Sequence, residues 1–352
     1  MHADDESASP WRWHADRAPW SRRVASAAEH WEPVIPLSCS PADVRAAIGR
    51  AAEADPDQLY DPRVAALTHH HLDGRATRDL NLLAWLAEVG DLDGQVVIDA
   101  PTWVWSRTGG AAIARGPHRL GTLTPSIAPA SDLGAPWLDP WCTILGYAQA
   151  DSVPASGQPE QHQEDVVRRG ALVGLRAICM LREVAPDVAD WLASYTKVLV
   201  LLDDTGQAAR SASASDLPGL VFADAPAEIA LLELLVHESA HHLLYLEETA
   251  APLVDPDDGR RFTSPLRPDA RPLRGILLAY HALAYICAFY AALASDDASA
   301  AAFDHADVAR LGDKAHDAAA VLDDNRAALT DAGVRFVDTT SSVLRHADRM
   351  LR

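Results

Sequence analysis

His237-Glu238-Ser239-Ala240-His241 sets two imidazoles four residues apart with a carboxylate between them. On a helix of 3.6 residues per turn, positions i and i+4 lie about 40° apart around the axis and about 6 Å along it, so both rings can reach one metal ion. Zinc peptidases use this pattern with the intervening glutamate as general base, which makes Glu238 the candidate catalytic residue and peptide hydrolysis the first chemistry to test. The flanks, Glu228 to Val236 and His242 to Leu246, are apolar enough to form a long helix, with Asp224 as the expected N-terminal cap and Pro226 in the first turn. A pair of hydrogen-bonded core histidines is the alternative, but burying two imidazoles and a carboxylate without a metal or partner is costly. His242 is excluded from the shared face because it lies about 100° around the helix from His241.

The third ligand separates the possible chemistries. An extended HExxHxxGxxH is absent, since Leu244 replaces the glycine and Glu247 the third histidine, and no glutamate occurs from Pro252 to Arg352. His281, set in the apolar run Ile276 to Tyr285, is the histidine available, as a third ligand or as a core residue. Between the two histidine-bearing segments, Phe262 to Gly275 carries three prolines and three arginines. A stiffened loop of this kind could hold guanidinium forks near a metal, where bidentate pairing would fix a carboxylate co-substrate; exposed surface arginines are the simpler reading.

Together, Pro218-Gly219, Leu235-Val-His-Glu-Ser-Ala-His241, Ser264-Pro-Leu-Arg-Pro-Asp-Ala-Arg-Pro272 and Gly275-Ile-Leu-Leu-Ala-Tyr-His-Ala282 resemble the HExxH-motif family of 2-oxoglutarate-dependent peptide β-hydroxylases of ribosomally made natural products. The resemblance spans roughly residues 205 to 295. It implies Fe(II) held by His237 and His241, with 2-oxoglutarate chelating the metal; His281, the one histidine within the apolar helix, is the expected third ligand. Arg267, Arg271 and Ser264 are then the expected co-substrate residues. O2 activation would place oxygen on a β-carbon of a precursor peptide. Iron oxygenases need two or three protein ligands and several open positions, which agrees with the missing peptidase ligand. In that chemistry Glu238 has no water to activate and is expected to bind the metal or orient a ligand. Zinc with Glu238 as general base is the alternative, and a peptide-binding protein with a vestigial metal site is a third reading.

These residues require elements to position them. The expected architecture is α+β, mostly helical, with the metal site between two long buried helices and a few short strands. Residues 1–204 are expected to form an N-terminal, mainly helical region that could bind peptide, and 205–352 the catalytic region. Ser40-Pro-Ala-Asp43 signals a helix start, with Leu80, Leu83, Trp85 and Leu86 as a core face further on. Gln95 to Asp99 and Lys197 to Leu202 read as strands, 108–157 as irregular, 164–194 as helical and 211–222 as a small-residue loop leading into a short strand. After the metal helix, a turn-rich loop over 254–270, an apolar helix from about Leu273 to Ser295 and at least two amphipathic helices from Phe303 onward are expected. Trp11, Trp13, Trp20 and Trp31 are expected to pack an N-terminal arm onto the body. The His69-His70-His71 cluster reads as surface or partner histidines and not as a second metal site, because adjacent side chains point in different directions.

Composition bounds the rest. With 352 residues and 49% hydrophobic content the chain can bury a sizeable core. A formal charge of −20 disfavours nucleic acid and anionic membrane surfaces. Four scattered cysteines form no disulfide framework, and the first residues lack a basic and then apolar signal, so a reducing cytoplasm is expected. Ile276 to Ala294 approaches spanning length, but its alanine content and its histidine favour a buried core helix over a membrane span.

Overall fold

The computed structural model describes residues 9–33, 37–68, 75–89, 92, 94–98, 102–106, 109–113, 116–119, 143–146, 161–201, 210–215, 217–256 and 259–351. The His69 to His71 cluster lies outside them. The chain is mostly helical with short strands, as expected, and forms two compact units. One comprises Met1–Asp16, Arg176–Tyr195 and Ala227–Arg352, and the other Arg17–Leu175 and Thr196–Pro226. The units are thus interleaved along the chain, whereas the sequence division at 204/205 is a single cut.

The second of these units begins with α1 (Ala18–Glu29), α2 (Pro41–Ala54), the single turn α3 (Ala65–Thr68) and α4 (Arg75–Glu88). Ser40 caps α2 as its sequence signals: its hydroxyl accepts from Asp43 N at 3.2 Å and the Asp43 carboxylate accepts from Ser40 N at 2.9 Å, a reciprocal pairing that satisfies two orphan donors. Trp20 donates to the Leu59 carbonyl at 2.7 Å and Trp31 to Asp79 at 3.0 Å, so both bury their rings without stranding an indole N–H. Leu83, Trp85 and Leu86 are buried in α4 as the periodicity predicts.

Strands β1 (Gln95–Ile98), β2 (Thr102–Ser106), β3 (Gly109–Ile113), β4 (Gly116–Arg119) and β5 (Thr143–Gly146) follow. The last three correct the expectation of an irregular 108–157: small residues such as Gly109 to Ala112 carry little propensity of their own and gain strand structure by pairing with Thr102 to Ser106. Helix α5 (Gln161–Val184) enters the other unit at Arg176 and ends where Pro186 forces a break before α6 (Pro186–Tyr195). The chain returns as β6 (Val198–Leu201), β7 (Ser211–Ser213) and β8 (Leu220–Ala223), which with β5 make a sheet of order β5-β6-β8-β7, parallel except for β7. Gly219 has φ +74°, and a Cβ there would stand 2.8 Å from the Lys197 side chain, so the turn that aligns Leu220 with Val198 needs glycine.

The first unit is built on α7 (Glu228–Ala250) and α8 (Leu273–Leu293), with the one-turn α9 (Asp297–Ala300), α10 (His305–Asp324) and α11 (Asp331–Met350) after them. Asp224 does not cap α7. The N-cap is Ala227, and Asp224 instead accepts from Arg210 N at 2.9 Å and from its guanidinium at 3.2 Å; Glu228 supplies the first-turn negative charge and pairs with Arg176. Helix α8 is long and apolar enough to cross a membrane, yet it is buried almost throughout, with α7, α10 and α11 packed around it. The N-terminal arm docks here through Trp11, whose ring meets Trp191 at 5.3 Å and Tyr285 at 5.5 Å, while Trp191 stacks on Tyr285 at 4.7 Å. Gly333, at the start of α11, is a close approach: any Cβ would fall 1.8 Å from the Leu253 carbonyl oxygen.

Candidate metal centre

Helix α7 sorts its polar side chains onto two faces. His237 and His241 are half-buried with ring centroids 4.6 Å apart and planes at 81°, side by side on one face. Glu238 and His242, one position on in each case, are buried at 3% and 1% exposure on the next face, so His242 does not share the pair's side. Burial holds the His237 imidazole below its usual pKa against the opposing charges of Glu238 and Glu233, with the Arg267 charge assisting. His241 is held well below by burial, then by His237, His281, His242 and Arg274. Two neutral imidazoles on one helix face, one carrying a buried nitrogen without a partner, are a donor set suited to a divalent transition metal.

Two cross-links set the level of α8 against α7. Tyr290 donates to Glu233, and Arg274 donates to Glu248 through Nε at 2.7 Å and Nη2 at 2.6 Å. Counting inward from these links along the antiparallel pair places His241 opposite His281 and Ala282, and His237 opposite Tyr285 and Ile286. His281 is fully buried, and burial alone pushes its pKa down to about 3. Its ring sits among Trp13 at 5.5 Å, Tyr285 at 4.9 Å and Phe336 at 4.6 Å, and Nδ1 lies 3.0 Å from Thr340 Oγ1. Among the described residues no group of three or more His, Cys, Asp and Glu side chains is drawn together to hold an ion. Glu247, at the sequence position of a third histidine, has its carboxyl raised by burial and by Asp16, while a hydrogen bond from Trp13 opposes the rise.

A buried nitrogen without a partner costs about 1–3 kcal/mol, and a buried neutral histidine adds a pH dependence. The folded pKa of His281 lies below its unfolded value, so the stability it permits is fully present above pH 6.5 and is lost as pH falls from there toward 3. His281→Leu is therefore expected to remove on the order of 3 kcal/mol of the stability difference between pH 7 and pH 4. Urea unfolding of both proteins at the two pH values measures this; equal acid sensitivity would show that His281 is not buried in its neutral form.

The loop between α7 and α8 is shaped by an antiparallel bridge from Phe262 to Arg271, each backbone N–H donating to the other's carbonyl at 2.8 Å. Within it, Ser264 Oγ accepts from Leu266 N at 3.3 Å and Arg267 N at 3.2 Å, so this hydroxyl closes the turn that presents Arg267. Arg267 is exposed and near enough to His237 to act on its charge state. Arg271 is paired with Asp269 at 2.9 Å, with both side chains largely in solvent. Arg274 is the basic residue the motif reading passed over: its guanidinium is 5.7 Å from the Tyr245 ring centroid and its charge acts on His241. The spacing His237, His241, Tyr245, Glu248 along one α7 stripe was the available signal for it, because Glu248 needs a cationic partner from α8. Beyond the Arg274 and Glu248 pair opens a cleft of about 710 Å3, walled by Pro252, Val254, Phe262, Pro272 and Ala328 with Arg260 at its side.

No protein-family model matches the chain, and no curated protein matches it.

Proposed function

We propose that the protein is an Fe(II)- and 2-oxoglutarate-dependent hydroxylase that acts on a β-carbon of a ribosomally made precursor peptide. The observation that carries this reading is the His237 and His241 pair, two neutral imidazoles side by side on α7, with Arg267 from the resembling loop within electrostatic reach. Two imidazoles on one helix face leave the other positions of a bound metal open, which suits a chelating keto acid. Iron bound there supplies O2 activation coupled to decarboxylation of the keto acid. The chain's own work is then to hold the metal through two imidazoles, to orient the distal carboxylate of 2-oxoglutarate through Arg267, and to receive peptide in the cleft past Arg274, whose size is that of a ligand pocket.

Metal content after anaerobic purification tests the reading: iron supports it, whereas zinc would restore Glu238 as a general base and peptide hydrolysis with it. Arg267→Ala is expected to raise the KM for 2-oxoglutarate by about tenfold or more, the effect of losing a charged hydrogen bond. Arg271→Ala should do less, because Asp269 already occupies its guanidinium. Steady-state kinetics with varied 2-oxoglutarate compares them.

A further inference from the structure

His281 carries its proton on a known nitrogen. Thr340 Oγ1 has one hydrogen and donates it to the Phe336 carbonyl at 2.9 Å, so at 3.0 Å from His281 it accepts, and Nδ1 of His281 must be the protonated nitrogen. Nε2 is left as a bare lone pair, buried and without a partner among the described residues. The rings of Trp13, Tyr285 and Phe336 hold the imidazole in that orientation. On α7, at the same level, Nδ1 of His241 is likewise buried and unpartnered. These two nitrogens are the only buried side-chain nitrogen or oxygen atoms without a partner among the described residues of this unit. One can only accept; the other can donate.

We infer that His281 is a positioning residue for His241: its Nε2 accepts the Nδ1 proton of His241, completing a relay that runs from the Phe336 carbonyl through Thr340 and His281 to the α7 pair. The inference rests on reading His237 and His241 as the metal pair, and it replaces the third-ligand role expected for His281. Its consequence is a fixed tautomer. With the proton held on Nδ1, the lone pair of His241 stands on Nε2, the nitrogen a metal would take, so Thr340 on α11 sets the form of a ligand it does not touch. The hydrogen bond between the histidines is not made in the structure, where both nitrogens stand alone. Rotation of the His241 side chain toward His281, with no metal required, closes it.

Nitrogen-15 NMR of the imidazoles in metal-free protein reads the tautomers directly, and Co(II) titration reads the site. Wild type is expected to show His281 and His241 both protonated at Nδ1. Thr340→Val should bring in the Nε2-protonated form of both, and Thr340→Ser should restore the wild-type pattern. Co(II) affinity should fall about 10–100-fold in Thr340→Val and in His281→Leu and stay within a few-fold in Thr340→Ser, with the absorption bands of bound Co(II) unchanged. His241 protonated at Nε2 in wild type would overturn the relay. So would unaltered Co(II) affinity in a folded Thr340→Val protein, or a His281→Leu spectrum showing one ligand fewer, which would make His281 a direct ligand. If the tautomers respond as expected while wild type binds no Co(II), the relay stands and the metal reading fails.

Discussion

His237→Ala and His241→Ala are each expected to abolish detectable metal binding and activity, while His242→Ala keeps most of both. A four-ligand protein site is worth about 10–16 kcal/mol, so one ligand accounts for about 3 kcal/mol and its loss for on the order of a hundredfold in affinity. With two imidazoles on the shared face of α7, removal of either leaves one imidazole of the pair. His242 is the internal control. It is buried to 1% exposure, so its truncation leaves a cavity and costs stability by a few kcal/mol, yet it lies on the adjoining face. Thermal melting and Co(II) titration on the three variants separate the effects: the first two should melt near wild type and fail to bind, the third should melt lower and bind. Full metal occupancy in His237→Ala or His241→Ala would end the site assignment.

Periodic features proved legible from the chain. The α7 and α8 helices, the capping box at Ser40, the strands at Gln95 and Val198 and the burial of Trp11, Trp20 and Trp31 all follow from local patterns that need no distant partner. What escaped was set by partners far away in sequence. Asp224 has the look of a cap, but Arg210 offers it a charged hydrogen bond across the β7 and β8 pairing. Ser264 resembles a co-substrate residue by its place in a motif, and the fold uses its hydroxyl within the turn. Glycine- and alanine-rich β3 has no periodicity to read and exists because β2 pairs with it. At the candidate site, His237 and His241 were visible from spacing alone. The contact of His281 with Thr340 joins α8 to α11 and carries no spacing signal. The α7 stripe of His237, His241, Tyr245 and Glu248 points to Arg274 only once the two helices have been set antiparallel.

Turnover is expected to require Fe(II), 2-oxoglutarate and O2 together, and the product peptide to gain one oxygen atom with its backbone intact. The balance is strict: 2-oxoglutarate, O2 and a C–H bond give succinate, CO2 and a C–OH group, so one oxygen atom enters succinate and the other the peptide. Hydrolysis by the same two histidines would consume water, release two fragments and need no keto acid, which makes the pair of outcomes exclusive. The two readings also differ in what they ask of Glu238. It is buried at 3% exposure on the face of α7 beside the histidine pair, where its charge supports His237; a general base for hydrolysis would have to reach a water on the open side of that pair. Glu238→Gln keeps the side chain's shape and removes the basic oxygen. Under the hydroxylase reading it should retain Co(II) binding and a measurable fraction of succinate formation, and under the peptidase reading it should lose turnover by several orders of magnitude. Mass spectrometry of the peptide, run beside succinate detection and with 18O2, decides: backbone cleavage that proceeds with zinc and without 2-oxoglutarate would replace the hydroxylase by a peptidase, whereas a single 18O in an uncut peptide assigns the His237 and His241 pair to oxygen chemistry.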